Sequence, residues 1–277
     1  MLSLLLLALA APQGNAPPPP KPERVLAKVG SEAIRASDVE AYLWDWRGYE
    51  ALQDLISFRL VEREAKRAGV SVSRQETLDA LQQQVTALQS SLPKGKSLED
   101  TMRQQGFPRS RLFLRIRSEQ LLDRLVLHDL KPSEFAKVST LIFRAASEQT
   151  SVLAAAIRQA DEAYADLAKG EAWHDVLATA TTDKHILSTD GLVGWREISA
   201  FPPTVAEEMK KLKPGQTTHP AQTKNGIQIF RLEATGDGAS AKDAEELRQT
   251  YLSAKRPEFL AKLRQAVKIE RFYPPAK

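Results

Sequence analysis

The chain has 277 residues, 42% hydrophobic and 27% charged, a length that allows two ordinary domains and a composition that excludes collagen-like, disordered and polytopic membrane classes. Lys plus Arg (39) exceed Asp plus Glu (35) by only +4, so charge offers no argument for nucleic-acid binding. Without cysteine there is no disulfide, thiolate nucleophile or thiolate metal site, and His128, His174, His185 and His219 lack ligand spacing; neither a metal nor another cofactor is expected.

Met1 to Ala11 reads MLSLLLLALAA, an apolar run shorter than the roughly 20 residues of a membrane span. Ala8-Leu9-Ala10 within it fits the small-x-small pattern of signal cleavage. A secretory signal peptide is expected, hence a mature protein outside the cytoplasm, periplasmic or secreted, with no stable membrane span. Six of the 16 prolines fall between Pro12 and Pro22, an extended spacer that completes a leader of residues 1–22.

Residues 23–132 read as a helical domain. Val25 to Gly30 is a short strand; Ser37 and Glu40 form a capping box before a helix. Leu52, Leu55, Ile56, Leu60, Ala65 and Ala68 follow a mostly helical period that stops at Gly69. Ser73 and Glu76 make a second box, opening a Gln-rich helix toward Ser90. Ser97 starts a short helix ending near Gly106, and Pro108 another reaching His128. Arginines 103, 109, 111, 115, 117 and 124, interrupted by Glu119 and Asp123, read as a solvated helix face.

The period then changes. In residues 133–238, Val138 to Phe143 is a strand, Val152 to Lys169 and Trp173 to Ala180 are helices, and Thr189 to Trp195 is a glycine-punctuated loop. A Pro202 to Leu212 helix follows, then a hairpin turning at Asn225-Gly226, expected as type I′, and a closing strand Ile227 to Leu232. This βαααβ order predicts a small α+β domain whose terminal strands pair. Ala241 to Phe272 reads as an amphipathic helix broken at Pro257, with a stripe of Phe259, Leu260, Leu263 and Val267, too narrow to fold alone. The segment 239–277 is expected to pack back on 23–132, since the middle domain already closes its own sheet.

Residues 136–235 resemble the parvulin family of peptidyl-prolyl cis-trans isomerases. The resemblance rests on an ordered set: the first strand, Leu167 to Gly170 leading to Trp173, Gly191 to Trp195, Leu212-Lys213-Pro214-Gly215, and Lys224 to Ile229. Val25 to Tyr42 and Leu55 to Ser73 resemble the helical chaperone domain of extracytoplasmic foldases of the SurA and PrsA kind, in which a helix after the parvulin module completes that domain.

The resemblance implies a folding factor that binds unfolded or nascent exported polypeptides and rotates X-Pro amides. An alternative is an impaired module serving as a holdase or assembly adaptor. By resemblance, the proline pocket falls on Val193, Phe201 and Val205; the alternative is that all three are core, which is the better reading for Val193. The two histidines usual in the family are replaced by Thr140 and Gln228, which hydrogen-bond but do not titrate. The acidic or thiol position falls on Lys184, or on Asp183 with one gap. The departures predict weak isomerase activity, with Thr140, Asp183 and Gln228 as the polar candidates.

Overall fold

The computed structural model describes residues 19–93, 96–104, 109–144 and 150–272; the expected signal peptide at Met1 to Ala11, most of the proline-rich spacer, and the helix boundaries expected at Gly106 and Pro108 lie outside them. The chain divides into two units. One comprises the chain up to His128 together with the segment from Ala254 onward, the other Asp129–Ser253. A helical unit and a small α+β unit result, as the sequence predicts.

In the helical unit, β1 (Val25–Val29) pairs antiparallel with a strand the sequence did not announce, β2 (Glu32–Arg35), through a turn at Gly30 with φ 60°. Helix α1 (Ala36–Leu43) starts one residue before Ser37. The Arg35 amide donates to Asp38 Oδ2 at 2.8 Å, so Asp38 replaces Glu40 as the closing carboxylate. A π-helical turn, Trp44–Gly48, joins α1 to α2 (Tyr49–Arg67). The Trp44 ring folds onto Gly48 so closely that a Cβ there would lie 2.4 Å from it.

Helix α3 (Arg74–Ser91) opens on the expected box: Glu76 N–H donates to Ser73 Oγ and Ser73 N–H to Glu76 Oε2. Then come α4 (Leu98–Gln104) and α5 (Arg109–Leu127). The core joins Phe58, Val61 and Ala65 of α2, Val85 of α3, and Leu112, Ile116, Leu121 and Leu125 of α5. The α5 arginines do more than face solvent. Arg111 pairs with Asp54 of α2, Arg117 donates to the Val72 carbonyl, and Arg124 binds Glu76 and the Ser71 carbonyl. These contacts tie α5 to α2, to α3 and to the linker between them.

The α+β unit is built on β3 (Phe135–Phe143), the central strand of a sheet ordered β4-β3-β6-β5, antiparallel throughout. Its partner β6 (Gly226–Thr235) runs beside it for its whole length, the expected terminal pairing. Between them lie α6 (Thr150–Lys169), α7 (Trp173–Ala180), α8 (Lys184–Ser188), β4 (Leu192–Glu197), α9 (Pro203–Met209) and β5 (Ala221–Thr223). Leu141, Phe143, Ile227 and Ile229 face α6 and α7, where Ala156, Ala160, Ala163, Trp173 and Leu177 complete one core. The alternate residues Val138, Phe230 and Leu232 face α9, against Val205 and Met209.

Two sequence expectations change here. The glycine-punctuated loop contains strand β4: Gly191 and Gly194 adopt φ of 66° and 83°, which lets the chain turn in and bulge, and Trp195 is then buried. The hairpin turn is not type I′, because Asn225 has no positive φ. Gly226 takes φ 126°, and Thr223 Oγ1 accepts the Asn225 N–H at 3.0 Å.

Helix α10 (Ala241–Ala266) divides between the units. In the α+β unit, Leu247 packs on Phe135 and Trp195, Tyr251 meets Phe135 edge-on at 5.7 Å, and Lys137 Nζ binds Asp243 and Glu246 at 2.8 and 2.7 Å. In the helical unit, Arg256 makes a two-pronged pair with Asp123 at 2.6 and 2.7 Å, and Leu263 is buried. Pro257 lies inside the helix without breaking it; the proline removes one donor, and anchors on both sides hold the flanking turns.

Candidate functional site

The site forms on the α9 face of the sheet. Thr140 lies opposite Phe230 and Gln228 opposite Ile142, so the two polar side chains occupy one face on adjacent strands. Both are buried, at 7% and 5% exposure. Gln228 Nε2 donates to Thr140 Oγ1 at 3.1 Å, and the Thr140 hydroxyl contacts the Ile229 and Leu141 carbonyls at 3.2 Å. Gln228 Oε1 accepts from Thr223 Oγ1 at 2.6 Å. Thr223 was not singled out in the sequence; a hydroxyl two residues before an Asn-Gly turn is its only signal.

Val193 is half-buried, at a β-bulge. Val138 pairs with Gly194 and Ser139 with Leu192, so Val193 is the unpaired extra residue on β4. Bulges re-aim side chains in this way. Val193 packs with Phe201, Val205 and Phe230 in one apolar cluster, and Phe201 meets Phe230 edge-on at 5.1 Å. Val205 is 1% exposed and forms the floor, whereas Val193 and Phe201 are half-buried and accessible.

A cavity of about 1020 Å³ opens beside this cluster on the side of α6, α7 and α8: Glu162 and Asp166 of α6 and Leu177 of α7 share its wall with Thr140, Val193, Asp183, Thr189 and Gly191. Phe201, Val205 and Gln228 do not line it, so the structure gathers the candidates into a cavity wall and an adjoining apolar cluster, linked through Val193 and through the Gln228–Thr140 bond. Asp183 Oδ1 accepts the His185 and Ile186 amides at 2.8 and 3.3 Å, capping α8. Lys184 is the first residue of that helix and is exposed. Gly191 seats the turn against the centre: the Thr140 N–H donates to its carbonyl at 3.0 Å, and a Cβ there would meet the Thr140 carbonyl at 2.5 Å. Such a site can hold an apolar ring, exclude water and present fixed polar groups, but its central chain carries no group that titrates near neutrality.

Residues 141–234 match the Rotamase family, the PPIC-type PPIASE domain. The chain is 24% identical over 259 residues to Chaperone SurA of Pseudomonas syringae pv. tomato, covering 85% of this chain and 58% of that protein. It is 24% identical over 211 residues to Chaperone SurA of Xylella fastidiosa, covering 69% and 45%. It thus spans about half the length of these relatives. Among solved structures, the peptidylprolyl isomerase PrsA of Bacillus cereus aligns over 91% of this chain and 95% of that one, at 13% identity and a TM-score of 0.45. Residues 141–234 are a parvulin-type domain, and the chain carrying them is similar to Chaperone SurA over most of its own length.

Proposed function

We propose that the chain is an extracytoplasmic folding factor: its α+β unit isomerises X-Pro bonds weakly and its helical unit holds unfolded or nascent exported polypeptides. The observation that carries this reading is the half-buried apolar pair Val193 and Phe201 beside a buried, non-titrating Gln228–Thr140 bond, within a PPIC-type domain. An X-Pro amide rotates over about 18–20 kcal/mol, because rotation breaks amide resonance. Val193, Phe201 and Val205 seat the proline ring and strip water from the amide. Thr140 and Gln228 brace the wall, and Asp183 shapes its rim as a cap.

The holding role draws support from apolar surface on the helical unit, which exposes Tyr42 by 66%, Trp46 by 59% and Leu43 by 48% in one stretch of α1 and the π turn. Among the described residues no helix is long and apolar enough to cross a membrane. The extracytoplasmic placement rests on the apolar run and cleavage pattern of residues 1–11. The test runs two assays on one preparation: NMR exchange on an X-Pro peptide, and suppression of aggregation of a denatured client. The reading expects slow but measurable exchange together with suppression, and the absence of both refutes it.

A further inference from the structure

The polar chain of the candidate site consists of two hydroxyls and an amide, none of which titrates between pH 5 and 8. An imidazole stands behind the wall. His174, the second residue of α7, places Nδ1 at 2.6 Å from Asp190 Oδ1, with both side chains about half exposed. Asp190 has φ 51°, the one positive φ of a non-glycine among the described residues, in a region that Asp enters more readily than most. Its carbonyl accepts from Trp173 Nε1 at 2.9 Å. Adjacent residues of α7 therefore grip Asp190 at both its carboxylate and its carbonyl.

The next residue, Gly191, touches the candidate centre: its carbonyl accepts the Thr140 amide, and Thr189 and Gly191 line the cavity with Thr140 and Val193. The route from His174 to the cavity wall thus runs through one turn and one backbone hydrogen bond.

We propose that His174 and Asp190 form a positioning latch for X-Pro binding: protonated His174 holds the Thr189–Gly191 turn against Thr140, and loss of that proton loosens the wall. This rests on the reading of the apolar cluster and its adjoining wall as a proline-peptide site. A neutral imidazole still donates a hydrogen bond in one tautomer but loses the charge attraction that strengthens it. The charged groups on the neighbouring elements are Glu162 and Asp166 of α6 and Asp183 and His185 of the α8 region, which line the same cavity, Glu171 just before α7, Asp175 after His174, and Arg231 of β6, which stacks over Trp173 at 4.7 Å. His185 is the competing imidazole, so it needs its own variant.

The test uses the full chain, a proline-containing peptide and NMR titration at pH 5.5 and 8. The wild type is expected to bind about two- to five-fold tighter at the lower pH, the range an exposed ion pair supports. Thr140 and Gly191 amide shifts should follow the His174 ring. His174→Gln and Asp190→Gly should bind weakly at both pH values, His174→Lys should keep the tighter binding at both, and His185→Gln should retain the wild-type slope. A slope that survives His174→Gln, or that His185→Gln removes, overturns the latch. So does peptide binding with Thr140 and Gly191 shifts indifferent to His174. Shifts that follow His174 while no peptide binds at either pH overturn the proline-pocket reading, and the latch's purpose with it.

Discussion

The Gln228 amide is fixed at both ends: its nitrogen donates to Thr140 Oγ1 at 3.1 Å, and its oxygen accepts from Thr223 Oγ1 at 2.6 Å. Because Gln228 is 5% exposed, water has little access to replace either partner. Thr223→Val keeps the shape and removes the donor. It should cost about 1–3 kcal/mol, the penalty of an orphaned buried acceptor, read as a lower urea midpoint with unchanged slope.

Gly191→Ala should displace the backbone itself. A Cβ would sit 2.5 Å from the Thr140 carbonyl on a backbone at φ 66°, so the turn must move away from β3. The expected loss is about 1–3 kcal/mol from strain, accompanied by amide shift changes at Thr140. Gly170→Ala, also at positive φ but with open space around its Cβ, should cost about 1 kcal/mol and leave Thr140 undisturbed.

Lys137 supplies a pH prediction. Burial by itself would lower its pKa, but the hydrogen bonds it donates to Asp243 and Glu246, and their charges, outweigh that and hold it above the usual lysine range. The same ammonium, and then Ser240, holds the Asp243 carboxyl below the usual carboxylate range. A lowered carboxyl stabilises above its unfolded value of about 3.9 and loses that contribution as pH falls through its folded value; a raised lysine stabilises below about 10.4 and loses it as pH rises through its folded value. The triad's contribution is therefore complete between about pH 5 and 9. Lys137→Met should destabilise by about 1–2 kcal/mol at pH 7, with the gap to wild type closing toward pH 2 in thermal melts.

The divided helix predicts where the α+β unit can be cut. Leu247 and Leu252 are each 2% exposed, and Leu247 covers Phe135 and Trp195. A fragment of residues 129–253 should melt cooperatively, whereas ending at 238 should cost about 1.5–3 kcal/mol for the loss of Leu247 alone. Calorimetry on the two fragments compares them directly; equal melting temperatures would show that α10 contributes nothing to this unit.

Much of the architecture was legible because long periodic segments speak for themselves: α7 begins at Trp173 and ends at Ala180 as read, and the Ser73–Glu76 box stands where its spacing put it. The unread parts depend on tertiary partners. Strand β4 looks like a loop until β3 supplies its hydrogen bonds and Leu247 covers Trp195. Helix α8 has five residues, too few for a period, and only Asp183 as a cap marks it. Pro257 predicts a break that anchors on both sides override. Within the site, Thr140, Gln228, Val193, Phe201 and Val205 are the residues the resemblance names; Thr223 is marked only by its place before the Asn225-Gly226 turn, and the His174–Asp190 pair joins two segments that no local pattern links.

The central claim is that an accessible apolar surface, rather than titrating polar chemistry, carries proline recognition and turnover. NMR exchange spectroscopy on an X-Pro peptide, with wild type, Phe201→Ala and Gln228→Ala at equal concentration, tests it most directly. The account predicts weak but measurable acceleration by wild type and a larger loss of peptide affinity in Phe201→Ala than in Gln228→Ala, by about 1.5–3 kcal/mol for the lost apolar contact. Strong acceleration that Phe201→Ala leaves unchanged and Gln228→Ala abolishes would contradict it.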